Sequence, residues 1–281
     1  MKYTTNWDVF EREMRNLAKQ ANSEAGAYEV IRKMLLSLDD KHSFLIVPEP
    51  VNKIPKSRKI TGLTANILDL QIGYISLPRF GGFDDDHLEE YATKTQSLIR
   101  DIDATVPIGW IVDLRENRGG NMWPMLAGIG PLLGAEHVGS FVDPDGKHEK
   151  WFYKDGKSWC NEDVIVGNGQ FHNPIQHGLA PVAVLISPDT KSSGEAITIA
   201  FKGRPKTRFF GQPSGGLSTA NNAFELSDGA VLALTVATFA DRTGKLYGSK
   251  IMPDVTVTPE DNPIQVASRW IKKMNGRENN Q

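Results

Sequence analysis

The chain has 281 residues, 40% hydrophobic and 23% charged, enough apolar material for one large domain or for a core with a smaller appendage. A net charge of −2 and the lack of a dense Lys/Arg stripe argue against a nucleic-acid partner. The single cysteine, Cys160, excludes an internal disulfide framework, and no run of about 18 apolar residues is present to form a membrane-spanning segment.

The opening MKYTTNWDVF holds no apolar signal-peptide core. As written, the chain reads as soluble and cytoplasmic, with an extracytoplasmic location as the alternative if a leader has been removed. Thr5 or Asn6 is placed to cap a first helix in which Trp7, Phe10, Met14 and Leu17 form one apolar stripe. Residues 21–26 break it. A second helix puts Ala27, Ile31, Met34, Leu35 and Leu38 on its buried side and ends in the polar corner Asp39-Asp40-Lys41-His42-Ser43. Residues 1–47 therefore read as an N-terminal helical bundle, and the proline- and lysine-rich residues 48–62 as a linker.

From residue 63 to the end the chain reads as an α/β core. Residues 72–77 form a strand. Residues 83–104 form a helix, and Asp84-Asp85-Asp86 suits a helix start better than a metal site. Residues 108–114, IGWIVDL, are a buried strand that runs into Arg115-Glu116-Asn117-Arg118-Gly119-Gly120-Asn121 and then a helix through Leu133. Residues 135–180 change texture, with aromatics, little helical period and turn signals at Asp145-Gly146 and Asp155-Gly156. They read as a β-rich insertion able to cap the core. Residues 182–187 are a further buried strand, followed from Ser192 by a helix carrying Ala196, Ile197, Ile199, Ala200 and Phe201, with Gly203 at its end. A strand over 207–211, a hairpin around Asp228-Gly229 and a strand near Val255 follow. An amphipathic helix over 263–274 then leads to a frayed tail from Arg277. Alternating strands and helices imply a parallel sheet with right-handed crossovers, whose carboxyl-terminal strand ends carry the site.

Two such strand ends stand out. At Thr190-Lys191-Ser192-Ser193-Gly194-Glu195 a serine lies at a helix N-terminus, where unpaired N–H groups favour a developing oxyanion. The same serines also suit a plain N-cap, with Glu195 completing a capping box. At Gly119-Gly120 backbone N–H groups are again free to face a bound group. A serine nucleophile needs a base, and there are six histidines: His42, His87, His137, His148, His172 and His177. Of these, His42 alone ends an apolar helix at a defined corner, with Asp39 and Asp40 beside it. No HExxH, CxxC or EF-hand spacing occurs, and no Walker loop or GxGxxG follows a strand, so neither metal nor nucleotide cofactor is expected.

Three blocks in register resemble the C-terminal processing (tail-specific) serine peptidase family, in its nisin-resistance-protein and tricorn-core-like branch. They are LDDKHSFL at 38–45, GYISLPRFGG at 73–82 with VDLRENRGGN at 112–121, and TKSSGEA at 190–196 with GQPSGGLSTAN at 211–221. The segment Ile251-Met252-Pro253-Asp254-Val255 is similar to the family's late Pro-Asp strand. The resemblance implies a crotonase/ClpP-like parallel-sheet core and a serine endopeptidase that takes a peptide or protein substrate through an acyl-enzyme. It implies Ser192 as nucleophile and His42 as general base. The N–H of Ser193 with that of Gly119 or Gly120 would form the oxyanion hole, and Glu195, Asp39 or Asp40 would be the orienting acid. The lysine of the Ser–Lys branch falls at Leu217 here, which cannot take a proton. Lys41 replaces a small residue and is expected to depress the His42 pKa. Only about 25 residues separate 45 from 72, too few for a substrate-tethering domain. Two alternatives use the same fold: a non-catalytic ligand- or lipid-binding protein, and an esterase or acyltransferase.

Overall fold

The computed structural model describes residues 5–48, 60–69, 71–82, 85–134, 136–167, 175, 179–258 and 260–278. The linker residues 49–59, the expected helix start at Phe83 and Asp84, and the histidines at 172 and 177 lie outside them. In chain order the elements are α1 (Trp7–Ala18), α2 (Glu24–Ser37), β1 (Phe44–Ile46), β2 (Thr64–Leu68), β3 (Ile72–Ser76), α3 (Asp85–Asp103), β4 (Gly109–Asp113) and α4 (Met122–Ile129). Then come β5 (His137–Val142), β6 (His148–Lys154), β7 (Lys157–Cys160), β8 (Asp163–Val166), β9 (Val182–Ile186), α5 (Ser193–Ala200), β10 (Thr207–Gly211), β11 (Thr219–Glu225), β12 (Val231–Asp241), β13 (Val255–Thr256) and α6 (Pro263–Glu278). No helix among the described residues is long and apolar enough to cross a membrane.

The chain forms two compact units, one of Met1–Ser57, Asp143–Lys147 and Thr219–Ala237, the other of Arg58–Val142, His148–Ser218 and Thr238–Gln281. In the first, Asn6 is the cap of α1, its Oδ1 accepting the Val9 N–H at 3.3 Å. The apolar stripe of α1 stays shallow, since none of its residues is fully buried, and on α2 only Leu35 is. The expected break between the helices is present but ends at Ser23, so Gly26 falls inside the second helix. It lies in the first turn of α2, where its N–H takes the Ser23 hydroxyl cap at 3.2 Å. β1 pairs antiparallel with the start of β12, Phe44 opposite Ala233. β11 pairs with β12 as well, and the Tyr28 hydroxyl donates to Asp228 at the hairpin turn, 2.9 Å away.

In the second unit a six-stranded sheet runs β13-β10-β9-β4-β3-β2. β2 is antiparallel to β3, and the remaining neighbours are parallel. β4 and β9 are buried at every residue, which is why each reads as an unbroken apolar run rather than an alternation. Ile72, Ile111, Ala183, Leu185 and Phe210 pack on Ala267 and Ile271 of α6. Alternate residues such as Trp110, Val112 and Val184 point to the other face, the side on which α3 packs on α4 and α4 on α5. Two expectations shift. The helix expected to reach Leu133 ends at Ile129 and tightens into a 3₁₀ turn over Gly130–Leu132. The expected frayed tail from Arg277 continues α6 to Glu278. β5 to β8 form an antiparallel meander beginning beside Thr238–Asp241 of β12. Asp155 and Gly156, at φ 51° and 76°, make the tight turn between β6 and β7.

Candidate active site

The carboxyl ends of β4 and β9 are neighbours in the sheet, with Asp113 opposite Leu185, and the loops leaving them are tied together by hydrogen bonds. Thr190 Oγ1 donates to the Leu114 carbonyl at 2.8 Å, and Ser187 Oγ donates to the Arg115 carbonyl at 2.5 Å. The Lys191 N–H reaches the Asn117 carbonyl at 3.0 Å. On this platform Ser192 takes φ 51°, ψ −118°, a backbone conformation rare for a residue with a side chain. Such a conformation costs about 1–3 kcal/mol and persists only where its surroundings impose it. Ser192 is half-buried and stands at the N-cap of α5.

The two serines of the turn differ. Ser193 is buried and its Oγ donates to the Gly120 carbonyl at 2.5 Å. Its hydroxyl is thus committed to the neighbouring loop, while its N–H belongs to the first turn of α5, where intrahelical acceptors are missing. Gly119 packs directly on the serine turn. A Cβ there would come 2.8 Å from Ser192 Cβ and 3.2 Å from Ser193 N. Gly119 and Gly120 have φ 94° and 113°, and a Cβ on Gly120 would fall 1.9 Å from the Phe80 carbonyl oxygen. The Gly119 N–H is engaged, donating to Asn117 Oδ1 at 3.1 Å. Asn117 is fully buried, and its Nδ2 donates to the Leu77 carbonyl at 3.0 Å.

Glu195 is buried completely. One carboxylate oxygen accepts the N–H of Ser192 at 3.0 Å and of Leu217 at 2.7 Å. The other accepts Ser214 Oγ at 2.5 Å and the Gly216 N–H at 2.9 Å. Burial pushes its pKa up, and the four donors pull against that. Both oxygens are spent on holding the serine turn to residues 214–217, and the capping box expected between Ser192 and Glu195 is built. Leu217, where the resemblance places a lysine in other members, supplies its backbone to this carboxylate. Lys191 beside the serine is ion-paired with Asp189 at 3.3 Å.

In the other unit, His42 is a buried residue at the corner after α2. Its N–H donates to Asp40 Oδ1 at 3.1 Å, and Asp40 Oδ2 accepts the Ser43 N–H at 2.9 Å together with the Ser43 hydroxyl. Asp40 therefore folds the corner through backbone groups rather than through the imidazole. The ring nitrogen Nδ1 lies 2.7 Å from Thr219 Oγ1. Asn221 Nδ2 donates to the His42 carbonyl at 2.7 Å and receives the Thr235 hydroxyl on its Oδ1 at 3.0 Å. Burial lowers the His42 pKa below the usual 6.5, and the Asp40 charge opposes the shift. Lys41, expected to cause the lowering, is exposed and has no part in it. Asp39, also exposed, sits at φ 50°.

Sequence reasoning passed over Thr219, Asn221, Asn117 and Ser214. The first two lie within the GLSTAN run and Asn117 within RENRGG, but polar residues in loops give no periodic signal of what they bond. Of the other histidines, His148 Nδ1 lies 3.0 Å from Ser140 Oγ, and His137 opens β5.

A strained serine at a helix start, buttressed by a Gly-Gly loop at the carboxyl edge of a parallel sheet, defines the chain as a serine-type peptidase once its relatives are set beside it. Residues 71–257 match peptidase family S41. The chain is 30% identical over 278 residues to the nisin-resistance protein of Lactococcus lactis subsp. lactis, covering 96% of this chain and 82% of that protein. It is 25% identical over 179 residues to the chloroplastic carboxyl-terminal-processing peptidase 2 of Arabidopsis thaliana, covering 60% of this chain and 28% of that one. A solved lipoprotein structure from Streptococcus agalactiae superposes with TM-score 0.79 at 26% identity, covering 96% of this chain and 89% of the other. The chain belongs to peptidase family S41, among proteins like the C-terminal processing peptidases. It is a hydrolase whose substrates are proteins or peptides.

Proposed function

We propose that the protein is a serine endopeptidase that cleaves extended peptides through an acyl-enzyme on a Ser192–His42 dyad, within a crotonase/ClpP-like core. Ser192 Oγ attacks the scissile carbonyl while His42 Nε2 takes its proton. The tetrahedral oxyanion is held by the N–H groups of Ser193 and Gly120, the Gly119 N–H being spent on Asn117. Collapse expels the amine, which His42 protonates, and a water activated by the same imidazole then releases the acyl group. The peptide backbone pairs with the strand edge near Gly119-Gly120.

The observation that carries this reading is the Ser192 turn itself. Its strained backbone is enforced by Glu195 on one side and Gly119 on the other, while the neighbouring Ser193 hydroxyl is already engaged. Leu217 in place of a lysine leaves a histidine as the base this chain has to offer, and His42 combines burial with a lowered pKa. The test is digestion of a proteome-derived peptide library, read by mass spectrometry, with wild type and Ser192→Ala. Internal cleavages present in wild type and absent in the variant support the proposal. Equal cleavage by both, or turnover of small esters with no peptide cleavage, contradicts it.

A further inference from the structure

We infer that Thr219 is the orienting partner of His42, a neutral hydroxyl filling the place for which a carboxylate was expected. The inference rests on His42 being the general base. An imidazole acts as base through Nε2 only if its neutral form carries the proton on Nδ1, and that tautomer is set by what Nδ1 bonds to. Each carboxylate considered for the task is otherwise occupied or exposed. Both Glu195 oxygens are held by Ser192, Ser214, Gly216 and Leu217, Asp40 is held by the backbone and hydroxyl of its own corner, and Asp39 is exposed.

The group at Nδ1 is Thr219 Oγ1, 2.7 Å away, where a hydroxyl oxygen accepts the Nδ1–H. Thr219 opens β11, and Asn221, two residues on, grips the His42 carbonyl at 2.7 Å. One strand thus fixes the ring at one end and the backbone at the other, and the Thr235 hydroxyl on Asn221 braces the grip from β12. Thr219, Asn221, Ser43 and Thr235 are all uncharged. Asp40 is the charged group bearing on the ring, and Lys41 and Asp39 flank it from exposed positions. A neutral acceptor leaves the imidazole to be tuned by burial, whereas a carboxylate at Nδ1 would raise its pKa.

Thr219 is therefore a positioning residue, and its removal changes the tautomer and the turnover rather than substrate binding. The experiment compares wild type, Thr219→Val, Thr219→Ser and His42→Gln. ¹⁵N NMR, with the His42 signal assigned by its loss in His42→Gln, reads the tautomer. The rate of covalent labelling by a fluorophosphonate, and kcat and KM on a cleaved library peptide, read the chemistry. The expected result is an Nδ1-protonated neutral His42 in wild type. Thr219→Val should lose that preference and fall in labelling rate and kcat on the order of 10- to 100-fold, with KM unchanged. Thr219→Ser should return to within about threefold of wild type, because it restores the acceptor.

An Nε2-protonated His42 in wild type, or a Thr219→Val protein that labels as fast as wild type, overturns the inference. If Thr219→Val does not fold, the wild-type tautomer and the Thr219→Ser rate still decide. Wild-type labelling that survives His42→Gln defeats the dyad instead, and the tautomer measurement tells the two failures apart.

Discussion

Ser193 Oγ donates to the carbonyl of Gly120 across the two strand-end loops, at 2.5 Å. This bond separates the roles of two adjacent serines. One hydroxyl ties the serine turn to the glycine loop, and the other belongs to the residue proposed as nucleophile. Ser193→Ala should keep the covalent serine adduct and lose about one hydrogen bond's worth of positioning, on the order of 1 kcal/mol. That is a fall in kcat/KM of roughly five- to tenfold, measurable on any cleaved peptide. Loss of the adduct in Ser193→Ala would reverse the assignment.

The glycine loop has no room for side chains. Alanine at Gly120 would set a Cβ 1.9 Å from the Phe80 oxygen, at φ 113°, and at Gly119 would press on Ser192 from 2.8 Å. Both variants should lose activity by on the order of 100-fold or more, the scale set by removing one oxyanion donor. Gly120→Ala should also destabilise the second unit, since its Cβ meets backbone and not a movable side-chain tip. Near-normal kinetics in Gly120→Ala would show that the loop is not fixed as the structure has it.

Asn117 links the loops through three groups. Its side-chain oxygen takes the Gly119 N–H, its amide donates to the Leu77 carbonyl, and its own carbonyl takes the Lys191 N–H. Asn117→Asp keeps the acceptor and loses the donor in a fully buried place, so thermal stability should fall by about 1–3 kcal/mol and kcat with it. A stable, fully active Asn117→Asp protein would contradict that role.

Glu195 has four donors on one buried carboxylate. Glu195→Gln substitutes an NH₂ for one oxygen and strands at least one donor, at roughly 1–3 kcal/mol. The Ser192 backbone should relax toward an ordinary helix start, with kcat falling more than KM rises. A variant with wild-type kcat would mean that the strain at Ser192 is held by the glycine loop alone.

The pH dependence follows from His42. Its pKa lies below 6.5 because burial disfavours the charged ring, with Asp40 opposing. In the proposed dyad the neutral ring is the base, so activity should rise through a midpoint below pH 6.5 and be flat above it. Asp40→Asn, which removes the opposing charge, should move that midpoint lower still. The stability sign agrees. The unfolded chain takes up a proton on this histidine at higher pH than the folded one, so stability is present above 6.5 and is lost as pH falls toward the folded value. A rate profile with its acid limb above pH 6.5 would exclude His42 as the titrating base.

Much of this was legible before the fold. β4 and β9 announced themselves as unbroken apolar runs because they are buried on both faces, and the serine turn as the point where an apolar run gives way to helical spacing. What was hidden depended on partners far apart in the chain. His42 and Thr219 are 177 positions apart, and no periodicity marks a threonine at the start of a half-exposed strand. β2 went unread because its burial pattern shows no fully buried residue, as befits an edge strand. The run Asn275-Gly276-Arg277 suggested an end to α6, but a glycine costs a helix only about 1 kcal/mol, and the helix runs on.

The most direct measurement of the central claim is intact mass after incubation with a fluorophosphonate, on wild type, Ser192→Ala, Ser193→Ala and His42→Ala. The account predicts a single adduct on wild type and Ser193→Ala, none on Ser192→Ala, and labelling slowed by several orders of magnitude in His42→Ala. An adduct that persists in Ser192→Ala, or a wild type that cleaves peptides without ever being labelled, would contradict a serine nucleophile at this turn.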